Sequence, residues 1–249
     1  MSMTTTADDV LNFWFKECAP EQWYKKDADF DALIFRRFES AVSAALKREM
    51  EAWQTDLNGS LALILMLDQF TRNIFRNTPK AFSGDEKALE LSLVCHDKGY
   101  LQHDNPAYRQ FMLMPMMHSE DIVIQDQSLP LFKEFTSERI YEYAIRHRDI
   151  VQRFGRFPHR NQILGRISTE EEIEFLKQPG SSFWRMASRN AGAYQTIWKK
   201  SLFAITVVDF PIGHHSLAEF DILSLALKID VGSSEVSSTK ISIIQFGSR

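Results

Sequence analysis

Apolar residues recur at three- and four-residue spacings along most of the chain, with few Gly and Pro between them, which is the period of amphipathic helices. Thr6 is placed to cap a short helix carrying Val10, Leu11, Phe13, Trp14 and Phe15, with Asp8 and Asp9 in its electropositive first turn. A longer helix is expected over residues 30–50, its inner face built from Phe30, Leu33, Ile34, Phe38, Val42 and Ala45. A very apolar helix starting at Asn58 or Ser60 and running to about Arg76 is expected to be central, and Pro79 forbids its continuation. Ser83-Gly-Asp-Glu86 has capping-box spacing and Gly99 can take the left-handed conformation that closes a helix, so one helix fills that interval. Asn105-Pro106 opens the next, which reaches His118 with a break or bend expected at Pro115. Ser119 and Ser137 are expected to cap helices over 120–135 and 138–154, the second closed by Gly155, and Ser168-Thr-Glu-Glu171 to cap a last one reaching Lys177. Short links between successive helices predict stacked antiparallel hairpins.

The pattern changes beyond Phe183. The last 66 residues carry only 12 charges, and two β-branched, alternating segments (203–210 and 241–246) are strand-like. Two units are therefore expected: a helical domain over 1–183 and an irregular or weakly β appendage over 184–249. The 249-residue chain has 29 Lys plus Arg against 33 Asp plus Glu. A net charge of −4 excludes the broad cationic field of a non-specific nucleic-acid binder. No apolar stretch approaches the ~20 residues of a membrane-spanning helix. The N-terminal stretch is acidic where an export signal is basic, and the two cysteines, Cys18 and Cys95, make no disulfide framework. A soluble, cytoplasmic protein without nucleic-acid or membrane partners is expected.

Three constellations carry candidate chemistry. Asp68, Arg72 and Arg76 recur every fourth residue along an apolar helix, with Asn73 beside them, and buried arginine must meet a carboxylate, water or a ligand anion. His118, Glu120 and Asp121 follow a Met-rich helix; His118 and Asp121 would share a face if one helix ran through both, giving two metal ligands or an oriented imidazole. The third segment, 144–166, holds six arginines and one acid, Asp149. There Ala144, His147, Ile150, Val151 and Phe154 share the inward side, while Arg146, Asp149, Arg153 and Arg156 form the adjacent edge, where Asp149 neutralises part of the charge. Arg148, His159, Arg160 and Asn161 add further polar groups, and the arginines are planar donors suited to carboxylate or phosphate. Purely structural alternatives stand beside each reading: an Asp68–Arg72 ion pair, capping by Ser119 and its acidic neighbours, and pairing of the arginines with Glu138 and Glu170–Glu172. Phosphate-loop, paired-cysteine, zinc-protease and serine-hydrolase motifs are absent.

These residues resemble the signature of a known group, the domain-of-unknown-function family 924. The resemblance covers residues 10–183 through Val10-Leu-Asn-Phe-Trp-Phe, Gln22-Trp-Tyr-Lys-Lys-Asp, Leu67-Asp-Gln-Phe-Thr-Arg-Asn-Ile-Phe-Arg76, Met117-His-Ser-Glu-Asp121, Arg146-His-Arg-Asp149, Arg153-Phe-Gly-Arg-Phe-Pro-His-Arg-Asn161 and Gly180-Ser-Ser-Phe183. It implies an all-α fold similar to tetratricopeptide right-handed superhelices and supplies no reaction. It also implies that the three constellations converge. Members of the family finish near the Gly-Ser-Ser-Phe motif, so the tail from Trp184 is expected to be a fused extension or the product of a shifted reading frame.

The expectation is therefore an all-α protein with an Arg/His/Asp-rich cavity that binds a small anionic ligand or an acidic peptide. Asp68, Arg72, Asn73, Arg76, Glu120, Arg148, Asp149, Arg153, Arg156, Arg160 and Asn161 would line it. The alternatives are a metal-assisted or His/Asp acid–base hydrolase using His118, Asp121, His147 and His159 on a phosphorylated or carboxylated small molecule, and a structural interaction scaffold. No cofactor is evident from the sequence; a divalent metal is the one that the His and Asp positions leave open. The sequence carries no signal of oligomeric state.

Overall fold

Thr6 caps the first helix as its spacing predicts: its Oγ accepts from the Asp9 amide while the Asp9 carboxylate accepts from the Thr6 amide at 2.8 Å. The computed structural model describes residues 5–181, which fall within one unit of the chain. Helix α1 (Ala7–Asn12) runs into a wider π-turn, Phe13–Glu17. Asp27 then caps the long helix α2 (Ala28–Leu46). That helix ends earlier than its periodicity suggests, because Lys47 leaves helical geometry and Arg48 adopts a left-handed backbone with φ of 63°.

The apolar central helix starts at α3 (Leu57–Ile64), capped by Asp56 and not by Asn58 or Ser60. It widens into a second π segment, Leu65–Phe70, and resumes as α4 (Thr71–Ile74). All six residues of the π segment are buried. Helix α5 (Asp85–Asp97) follows, with Gly99 closing it in the left-handed conformation at φ 71°. The expected capping box at its start is absent: Gly84 is the cap residue and the Ser83 hydroxyl donates instead to the Lys80 carbonyl. Helix α6 (Pro106–His118) is capped by Asn105 and passes through Pro115. Asp121, not Ser119, caps α7 (Ile122–Phe135). Helix α8 (Glu138–Phe154) ends at Gly155, φ 67°, and α9 (Glu170–Lys177) has the Thr169/Glu172 capping box.

Among the described residues the fold is all-α. Helices α5 to α8 pack in sequence order. Only residues 119–121 separate α6 from α7 and only 136–137 separate α7 from α8, links too short to carry the chain back along a helix, so these neighbours run antiparallel. The core is aromatic at one end. Trp14 stacks edge-on to Phe111 with centroids 5.7 Å apart, and Phe38 meets both Phe13 and Phe70 at 5.0 Å. A separate small cluster, Ile150, Val151 and Phe157, lies where α8 turns toward α9. Among the described residues no helix is long and apolar enough to cross a membrane. The expected strand-like tail and the boundary at 183 and 184 lie outside the described residues.

Candidate functional site

The central helix carries an uninterrupted, buried apolar run over 61–67, and its π segment places Asp68, 0% exposed, directly after it. A buried carboxylate is sustained only by partners, and Asp68 has three. Its Oδ1 lies 2.7 Å from His118 Nδ1 and 3.2 Å from Arg72 Nη1, and its Oδ2 accepts from Gln69 Nε2 at 2.5 Å. Burial alone would push the Asp68 carboxyl up, but the charges of Arg72 and His118 outweigh it and hold the group below the usual carboxylate range. An ionised acceptor at Oδ1 fixes the imidazole: His118 donates through Nδ1 and presents Nε2 away from Asp68. The His118 side chain is 17% exposed, so this edge of the cluster reaches solvent.

Arg72 extends the cluster. Besides donating to the Asp68 carbonyl at 2.5 Å, it faces both oxygens of Asp85 at the start of α5, Nη1 to Oδ1 at 2.9 Å and Nη2 to Oδ2 at 3.0 Å. Arg160, in the single turn Pro158–Arg160 after α8, reaches the same carboxylate at 3.2 Å and the His118 carbonyl at 3.0 Å. Both guanidinium groups lie over the ring of Phe82, at 5.6 and 4.8 Å from its centroid, and Arg160 also lies over Phe157 at 4.7 Å. Burial, and then the neighbouring charge of Arg72, pull Arg160 down to about 10, still protonated at neutral pH. Glu120 completes the group, accepting from both terminal nitrogens of Arg166 at 2.6 and 2.9 Å and from the Phe157 amide at 2.8 Å. Burial raises its carboxyl, and these hydrogen bonds more than reverse that. Three guanidinium groups, of Arg72, Arg160 and Arg166, thus meet three carboxylates, of Asp68, Asp85 and Glu120.

His147 and His159 sit on the α8 side of the cluster. The His147 ring lies 6.1 Å from that of His118 and donates through Nδ1 to the Tyr143 carbonyl at 2.7 Å. Burial, reinforced by the nearby His118, holds it well below the ordinary histidine value, so it is neutral at pH 7. His159 is pushed down to about 3 by burial and by the charge of Arg160.

The predicted residues divide accordingly. Asp68, Arg72, His118, Glu120, His147, His159 and Arg160 come together. Asn73 and Arg76 do not: α4 ends at Ile74, so Arg76 turns from the expected column and pairs with Asp31 of α2, where Asn73 also donates at 2.8 Å. His118 and Asp121 share no helix face, because α6 stops at His118 and Asp121 starts α7, accepting from the Val123 amide. Arg148 reaches Asp126 and Asp149 at the surface. Arg153 pairs with Glu171, and Arg156 grips Glu172 with two hydrogen bonds of 2.7 and 2.8 Å, fastening α9 to α8. Asn161 donates to Ser168 at 3.0 Å. The Arg153 and Arg156 pairs are the structural alternative weighed at the outset for this segment, whereas Asp31, Asp126 and Ser168 were not expected as partners. Asp85, Arg166 and Phe82 were not among the predicted site residues; Asp85 reads in sequence only as an acidic first-turn residue. Among the described residues no three His, Cys, Asp or Glu side chains are placed to hold one metal ion.

The fold and this cluster define an all-α protein in which a buried aspartate, paired with a partly exposed histidine, sits in an arginine–carboxylate network. Residues 10–180 match the family model described as bacterial protein of unknown function (DUF924), and the chain belongs to that family. It is also similar to the solved structure of the protein of unknown function ATU0120 from Agrobacterium tumefaciens, at 40% identity and a TM-score of 0.66, over 70% of this chain and 97% of that one. None of the curated proteins compared with the chain matches it.

Proposed function

We propose that the chain is a cytoplasmic binding protein whose ligand is a small molecule carrying a carboxylate or phosphate, taken up at the His118 edge of the cluster. The observation that carries this reading is the pair Arg72 and Arg160, 8% and 6% exposed, held around one carboxylate beside a partly exposed imidazole. Two guanidinium groups brought this close repel each other, an arrangement suited to an anion between them. The reading moves the ligand away from the Arg148, Arg153 and Arg156 face, where the protein's own acids take up the charge, and so favours a small molecule over an acidic peptide. A tetratricopeptide-like superhelix, whose stacked hairpins offer concave surfaces, is the finer form of the fold that we propose. Buried, free Cys18 and Cys95 fit a reducing compartment.

Calorimetric titration with succinate, citrate, inorganic phosphate and glycerol phosphate tests the reading. At least one should bind saturably at one per chain, and Arg160→Gln should weaken it by about tenfold or more, the loss of a charge-assisted contact. Absence of saturable binding by all four would sink it.

The Asp68–His118 contact favours a second reading, an acid–base hydrolase, because an imidazole oriented by a buried carboxylate is the arrangement of a general base. The phosphomonoester in the same panel reads this out: release of inorganic phosphate, abolished in His118→Gln, is the expected outcome.

A further inference from the structure

Asp85 occupies the place where an anion would be most strongly held. Its carboxylate is faced by Arg72 at 2.9 and 3.0 Å and reached by Arg160 at 3.2 Å, and its side chain is 23% exposed while those of the two arginines are below 10%. The grip is imperfect in two respects. Asp85 Oδ1, although close to Arg72, accepts no aligned hydrogen bond, and the buried Nε–H of Arg160 has no acceptor. A side chain tethered to the first residue of α5 cannot move to satisfy both. Its backbone is pinned as well: a Cβ on the adjacent Gly84 would lie 2.3 Å from the Leu67 carbonyl oxygen of the π segment, so the helix start already sits against the central helix.

We infer that Arg72 and Arg160 form a carboxylate seat in which Asp85 is a built-in occupant, and that a ligand enters by displacing the Asp85 side chain. The inference rests on the binding reading above and names its ligand class. Arg72 already brings both terminal nitrogens within 3.0 Å of the Asp85 oxygens, but only Nη2 makes a hydrogen bond to them, and a guanidinium group with two such nitrogens suits a carboxylate that is free to align with both. A free carboxylate can shift and rotate to align with Arg72 and to approach Arg160 Nε, which Asp85 cannot. Displacement requires only side-chain rotation of Asp85 toward the solvent it already touches, leaving α5 in place. The seat is charge-balanced at rest, since the cluster contains as many guanidinium groups as carboxylates; expelling Asp85 to water leaves one positive charge uncompensated inside, which the ligand neutralises.

The experiment compares the full-length protein and Asp85→Ala in sodium acetate and in sodium chloride of equal ionic strength, reading the melting temperature. Asp85→Ala should melt below the parent in chloride and recover in acetate, saturably, by roughly 3–5 °C at ten times the dissociation constant. The parent should respond to acetate far less. Adding Arg160→Gln to Asp85→Ala should remove the recovery. Should Asp85→Ala not fold, Asp85→Ser keeps a polar residue suited to the helix start, leaves the seat empty and carries the same expectation. Equal melting in acetate and chloride would overturn the seat, and recovery in phosphate but not in acetate would overturn its carboxylate class. Acetate recovery in Asp85→Ala together with an unresponsive parent in the calorimetric panel would retain the seat and remove the binding reading. Saturable binding by the parent with no acetate effect in Asp85→Ala would do the reverse.

Discussion

Asp68 is a fully buried carboxylate with two charged neighbours. It lies in the most apolar helix, holds His118 at 2.7 Å and Arg72 at 3.2 Å, and stays ionised because both neighbours favour its charge. Asp68→Asn keeps the shape but removes the charge, leaving Arg72 with Asp85 alone. Loss of one partner from a buried ion pair costs about 3–5 kcal/mol, and the remaining Asp85 contact places the expected loss near the lower figure. Urea denaturation checks it; a change within about 0.5 kcal/mol, the range of an ordinary surface substitution, would contradict the account. The sequence flagged Asp68 and Arg72 through their four-residue spacing on an apolar helix. It gave no sign of Asp85, because an acid at the first position of a helix ordinarily needs no explanation beyond the helix dipole.

At the scale of elements, the π segment and the start of α5 determine where those charges meet. Helical periodicity located the central helix and α5 to within a few residues, and it identified the stops at Gly99 and Gly155, where a positive φ favours glycine. It failed at the caps: Asp56 and Asp121 replaced the expected residues, and Ser83 made no cap. Several hydroxyl- or carboxylate-bearing residues crowd each junction, and only the path of the incoming chain decides which one aligns with the free amides. The function of Gly84 was equally hidden. Its φ of −96° suits any residue, yet an added Cβ would strike the backbone of Leu67 at 2.3 Å. Gly84→Ala should therefore cost about 1–3 kcal/mol, as overpacking does, and loosen Asp85 from Arg72. Gly155→Ala, which meets no neighbouring atom but must hold φ of 67°, is the control for backbone strain, at about 1–2 kcal/mol. Denaturation with acetate present and absent separates the two variants, since only Gly84→Ala should acquire sensitivity to the anion.

Over the whole molecule, burial of imidazoles sets the response to acid. His147 lies well below its ordinary value and His159 at about 3, so between those values and about 6.5 the unfolded chain binds protons that the folded protein refuses. Stability is thus full above about pH 6.5 and falls as the pH drops, by up to about 1.4 kcal/mol per pH unit for each ring. The depressed carboxylates of Asp68, Glu120 and Glu172 act in the other window, losing their contribution only below about pH 4. Denaturation midpoints at pH 7 and pH 5 should differ clearly in the parent and much less in His147→Gln/His159→Gln; an unchanged slope would show that other groups govern the acid response.

The sequence by itself determined the all-helical class, the family and the inward face of α8, because periodicity and glycine positions are local properties that each segment expresses wherever it packs. It also picked out most members of the central cluster, since arginine and aspartate on apolar helices are costly and therefore conspicuous. Only the tertiary structure decided which arginines serve the fold and which surround a common carboxylate. Arg156 and Arg160 are four residues apart in one segment, yet Gly155 and the turn at Pro158–Arg160 send the first to Glu172 and the second to Asp85, 75 residues away. Charge pairing depends on distances of a few ångströms, and distances between remote segments are fixed by packing.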